Sequence, residues 1–63
     1  MNTYRIKIFY HTQRNNESMI FGNIKAPNYE TAERIAIGSL MQVEMERKDR
    51  YLKIDHTMRL RED

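Results

Sequence analysis

Residues 3–12, Thr3-Tyr4-Arg5-Ile6-Lys7-Ile8-Phe9-Tyr10-His11-Thr12, alternate between two kinds of side chain. Tyr4, Ile6, Ile8 and Tyr10 fall on one side, and Arg5, Lys7, Phe9 and His11 on the other. A period of two in β-branched and aromatic residues marks a half-buried strand, one side on a core and the other in water.

The rest of the chain is placed against that strand. Gln13-Arg14-Asn15-Asn16-Glu17 is polar, and its asparagine pair tolerates left-handed backbone, so a hairpin is expected. Ser18 to Ala26 then reads as the return strand, with Ile20, Ile24 and Ala26 on the core side and Met19 and Phe21 on the outer side. Gly22 marks either a bulge or a close helix approach. Pro27-Asn28 stops the strand, and Asn28 caps a helix whose first turns hold Glu30 and Glu33, the sign the helix dipole favours there. The helix is predicted from Tyr29 to about Arg47, ending among Arg47, Lys48 and Arg50. Arg50 to Leu60 alternates again. Leu52, Ile54, Met58 and Leu60 point inward together with His56, while Tyr51, Lys53, Asp55, Thr57 and Arg59 point outward. The order strand-strand-helix-strand predicts an α+β fold over residues 1–63: a single small domain, an antiparallel sheet with one helix packed on one face.

Size and composition bound the function. With 63 residues there is room for one core, and a domain of this size buries only about 60% of the surface its unfolded chain exposes. The chain has no cysteine, which removes disulfides and thiolate zinc sites as supplements. His11 and His56 stand far apart with no ligand spacing around them, so neither a metal nor a cofactor is expected. Self-association as a homodimer, or a protein partner, is left as the supplement. At 40% hydrophobic and 32% charged the chain is globular. Its net charge of +2 is compatible with nucleic acid without being diagnostic. The absence of cysteine fits a reducing cytoplasm. Met1-Asn2-Thr3-Tyr4-Arg5-Ile6-Lys7 carries charge where a secretory signal would be apolar. No apolar run nears the ~20 residues of a membrane span. A cytoplasmic protein away from the membrane is the expectation.

Two surfaces are candidates for binding. At ~100° per residue, Ala32, Ala36, Ser39, Leu40 and Val43 form the core stripe of the helix, with Ile35 at its edge. Ile37, Met41 and Met45 follow one another roughly opposite, among Glu30, Arg34 and Gly38. One helix on one sheet cannot bury both stripes, so Ile37, Met41, Met45 and Arg34 are expected to meet a protein partner or a second copy. The alternatives are that the C-terminal strand or loop covers this stripe, or that its apolar residues are scattered and exposed. The second surface is the outer sheet face, expected to gather Arg5, Lys7, Phe9, His11, Met19, Phe21, Lys25, Tyr51, Lys53 and Arg59. Rings interleaved with cations suit single-stranded nucleic acid, where rings stack on bases and Lys and Arg meet phosphates. The alternatives are a solvated face stabilised by cross-strand pairs, or packing on a second copy or another protein.

Chemistry is not expected. Neither histidine has a nucleophile or an orienting carboxylate at motif spacing, and no glycine-rich phosphate loop is present. Glu44, Glu46 and Asp49 alternate with Arg47, Lys48 and Arg50, the pattern of a solvated, self-paired helix end.

The segment Ile24-Lys25-Ala26, a capping turn, then Ala32-Glu33-Arg34-Ile35-Ala36 resembles the hairpin-plus-helix of HicB-type antitoxins. It is also similar to short phage-encoded inhibitors of the anti-CRISPR kind, and in part to the ribosomal LX domain. The resemblance covers about half the chain, matches no motif residue by residue, and carries over no functional positions. It implies a class: a non-enzymatic phage or mobile-element inhibitor or adaptor that occupies a surface of a larger complex in the host cytoplasm. The alternative is a small nucleic-acid-binding protein that uses the basic–aromatic face of its sheet.

Overall fold

The computed structural model describes residues 1–46 and 52–60, and the side chains of these apart from Met45 and Glu46. Their order is β1 (Asn2–Thr12), β2 (Asn16–Ala26), α1 (Tyr29–Glu46) and β3 (Leu52–Leu60). The strands form one antiparallel sheet in the order β2-β1-β3, and the helix covers one face of it. This is the expected α+β arrangement. The helix lies chiefly over β2 and β1 and reaches β3 at few points.

The alternation of β1 is realised without interruption. Tyr4, Ile6, Ile8 and Tyr10 are buried under the helix, with Ile6 and Ile8 fully enclosed. Full burial of a side chain of that size contributes roughly 1.5–3 kcal/mol. Ala32 and Ala36, also fully enclosed, let the helix backbone come close to the sheet, and Leu40 extends the same stripe. Ile24 and Ala26 complete the core, with Met19, Phe21, Tyr29, Ile37, Leu52 and Ile54 half-buried around it.

Local chemistry explains where the elements begin and end. Asn28 caps α1, its side-chain oxygen accepting the Thr31 backbone N–H at 2.8 Å. The hairpin is held differently from expectation. Neither Asn15 nor Asn16 adopts positive φ; the Thr12 hydroxyl accepts the Arg14 and Asn15 backbone N–H groups, each at 3.3 Å. The Thr12 backbone N–H reaches the Asn15 carbonyl at 2.9 Å. A threonine-centred turn thus takes the place of a left-handed asparagine.

Each edge strand carries one bulge, and the bulges overturn half of the expected facings. Tyr4 pairs with Ile24 but Ile6 pairs with Phe21, so β2 holds an extra residue at Gly22-Asn23. Asn23 lies there at φ 59°, a left-handed conformation asparagine accepts more readily than most residues. Beyond this point the strand changes phase. Met19 and Phe21, expected outside, face the helix, whereas Ile20, expected inside, is turned to the open face and 47% exposed.

The second bulge falls at Asp55, because Phe9 pairs with His56 and Tyr10 with Ile54. Leu52 and Ile54 face the helix as expected. Past the bulge, Thr57 and Arg59 face it as well, and His56, Met58 and Leu60 face the open side, opposite to expectation. A one-residue insertion in a period-two element must have this effect. The helix-side position of Thr57 and Arg59 is fixed by contacts. The Tyr29 hydroxyl lies 3.3 Å from the Thr57 hydroxyl, which donates to Glu33 Oε2 at 2.5 Å. The Arg59 guanidinium lies over the Tyr4 ring at 4.8 Å and the Tyr29 ring at 6.0 Å. The rings of Tyr4 and Tyr29 meet edge to face at 6.0 Å. This cluster ties β3 to the first turn of the helix.

Glu44 is the other departure. Read as part of a solvated helix end, it is 2% exposed and accepts the Tyr10 hydroxyl at 3.1 Å. It is on the stripe of Ala32, Ala36 and Leu40 at four-residue intervals, beneath the end of the central strand. Arg47, Lys48, Asp49 and Arg50, to which the helix end was assigned, lie outside the described residues.

Candidate binding face

The open face of the sheet can be followed in rows across the three strands. Lys25 stands beside Thr3 at one end. Next comes Arg5, flanked by Leu60 and the β2 bulge. Lys7 is flanked by Ile20 and Met58, Phe9 by Ser18 and His56, and His11 by Asn16 and Lys53. Adjacent rows are about 6.8 Å apart, two residues along a strand, and neighbours within a row about 4.8 Å.

Two features organise this surface. The first is charge. Arg5, Lys7, Lys25 and Lys53 face Asp55 as the one carboxylate among the described open-face residues. Asp55 is itself engaged: one oxygen lies 3.0 Å from His56 Nδ1 and the other 3.9 Å from His11 Nε2. The four cations therefore carry the field of the face. The second feature is a stacked ring pair at its middle. Phe9 and His56 lie with centroids 4.4 Å apart and planes within 18°. Lys7 Nζ stands 5.0 Å from the centroid of the Phe9 ring, and His11 is held through Nδ1 to the Asn16 side chain. Ile20 and Met58 flank Lys7, each 47% exposed.

Comparison with known protein families, curated proteins and solved structures returns no match.

Of the residues expected on this face, Arg5, Lys7, Phe9, His11, Lys25 and Lys53 are brought together there. Phe21 and Arg59 are not, since each packs on the helix side beyond a bulge. Met19 leaves the face for the same reason, and Tyr51 lies outside the described residues. His56, Met58, Leu60 and Ile20 join the face against expectation, while Asp55 keeps the outward position expected of it. Gly22-Asn23 inside an alternating strand was a readable sign of the first phase change. Nothing comparable precedes Asp55, because Met58 and Leu60 continue the apolar rhythm of Leu52 and Ile54.

The helix stripe is less continuous than its spacing suggests. Ile37 is half-buried against the core, and the Met45 side chain lies outside the described ones. Met41 is 53% exposed and Ile35 45%, but 120° separates six helical residues, so the two diverge on the cylinder. Arg34 is largely exposed and pairs with Glu30 at 3.8 Å. Exposed pairs of this kind contribute little.

At the hairpin end, His11, Arg14, Asn15, Asn16 and Lys53 line a shallow open hollow of about 600 Å³. Among the described residues no three His, Cys, Asp or Glu side chains converge as a metal ion requires, and no helix is long and apolar enough to cross a membrane.

Proposed function

We propose that this chain is a non-enzymatic binding module whose working surface is the open face of its sheet, docking on an anionic surface of a larger partner. The observation that carries the reading is the distribution of charge on that face: four cations around two rings and two half-exposed apolar side chains, with the one described carboxylate held by histidines. A second copy stacked face to face would oppose like charges, which argues for a complementary partner instead. Occupying a surface on a larger assembly is also what the resemblance to short phage-encoded inhibitors and antitoxins implies.

Docking through the outer side of the helix is the second reading, and the exposure of Met41 and Ile35 favours it. The two readings separate by charge reversal. Lys7→Glu with Lys53→Glu should abolish capture of a polyanion and leave the fold intact, because both side chains stand outside the core. Retention of full polyanion affinity in that variant refutes the proposal. Loss of partner binding in Met41→Glu with Ile35→Glu, and not in the lysine variant, would establish the helix instead.

A further inference from the structure

Resting on that reading of the open face, we infer that the anionic partner is single-stranded nucleic acid, with a base stacked at the Phe9–His56 pair and neighbouring phosphates held by Arg5, Lys7 and Lys53.

An acidic protein surface needs no rings to meet these cations. Carboxylates are matched by cations alone and do not engage the flat faces of a ring pair set at the centre of the charge. A nucleobase is a flat π-surface joined to an anion, and it takes both features at once. On the flank of Phe9 away from His56 stands Ser18, a small side chain, and Lys7 Nζ lies over the Phe9 ring at 5.0 Å, so ring and cation meet at one point. On the other flank, the half-exposed His56 ring extends the platform across to β3. Along β1, Lys7 stands one row from Phe9 and Arg5 two rows, while Lys53 occupies the row beyond on the far strand. Cations thus bracket the ring pair in both directions along the strand. Bases must also be free to splay out from one another, a condition that single strands meet and duplexes do not.

The shape of the face points the same way. Three strands about 4.8 Å apart give a width of roughly 10 Å. That is narrow for a flat protein epitope and adequate for one extended polynucleotide strand. Ile20 and Met58, beside Lys7, supply apolar contact for a second base next to the first.

Fluorescence anisotropy with labelled oligothymidylate of about 12 nucleotides, alongside its duplex and polyglutamate, tests the inference. The full chain should bind the single strand more tightly than either competitor. Phosphate contacts at these three cations give a logarithmic salt slope near −2.1, about 20-fold weaker binding between ~50 and ~200 mM salt. Phe9→Leu retains apolar bulk in the sheet and should weaken oligothymidylate roughly 5-fold or more with the salt slope unchanged. Lys7→Gln should lower the slope by about 0.7 and spare the ring contribution. Circular dichroism melts confirm that each variant is folded, and His56→Gln serves as the second ring test if Phe9→Leu melts early. If polyglutamate binds as well as the oligonucleotide and the ring variants change nothing, the inference falls while anionic docking stands. If neither polyanion binds at ~50 mM salt, both fall.

Discussion

Changing Tyr10 to Phe removes the hydroxyl that reaches Glu44 without opening a cavity. Tyr10 is 1% exposed, and its hydroxyl donates to the 2%-exposed Glu44 carboxylate at 3.1 Å, joining the central strand to the last turns of the helix. Phenylalanine keeps the ring and its packing. What is lost is one buried donor to an acidic group, a contribution of about 1.5–3 kcal/mol. A chain of this length has a total stability of only about 3–9 kcal/mol, so the loss is a large share of it. At about 4–8 °C per kcal/mol for small domains, a loss near 2 kcal/mol lowers Tm by roughly 8–16 °C. Thermal and urea melts of Tyr10→Phe, Glu44→Met and the double variant form a cycle. The two single losses should fail to add, with a coupling of about 1 kcal/mol or more. A melting point for Tyr10→Phe within ~2 °C of the parent, well short of that fall, would refute the reasoning. So would strictly additive losses in the double variant.

Other expectations follow from the same packing. Leu40→Ala, at a fully enclosed site, should cost about 2–5 kcal/mol in urea unfolding and leave much of the chain unfolded at 37 °C. Asn28→Ala removes the helix cap and should cost about 1 kcal/mol, with a matching fall in Tm. At the left-handed position Asn23→Val should destabilise by about 1–2 kcal/mol, while Asn23→Gly should be neutral within a few tenths. Arg59→Ala should lower Tm through the lost Tyr4 and Tyr29 ring contacts yet leave oligonucleotide affinity within about two-fold, since Arg59 points away from the open face.

The uneven legibility of the chain has a physical source. β1 is central and pairs on both sides without an insertion of its own, so its period-two pattern maps directly onto buried and open faces. The edge strands tolerate extra residues, and each inserted residue reverses every facing beyond it. Gly22-Asn23 announced the first reversal. Asp55 did not, because an apolar rhythm continued across it although the residues carrying it had changed sides. Thr57 and Arg59 belong inside only because Tyr29, Glu33 and Tyr4 are there to receive them, a fact of tertiary packing.

Glu44 was hidden by its charge. Its four-residue spacing from Leu40 pointed to the core, and the hydroxyl of a buried tyrosine needs a partner. For the open face, the β1 contributors were readable and the β3 contributors past the bulge were not. The ring pair at its centre therefore emerges only from the register that sets His56 beside Phe9.

Four apolar side chains provide a matched probe of which surface docks. Ile20 and Met58 lie on the open face, Ile35 and Met41 on the outer side of the helix, and all are close to half exposed. Methyl-labelled isoleucine and methionine, followed by NMR as oligothymidylate is added, report on both surfaces in one titration. The Ile20 and Met58 methyl signals should shift progressively while those of Ile35 and Met41 stay in place. Movement confined to Ile35 and Met41, or to none of the four, would contradict docking through the open face of the sheet.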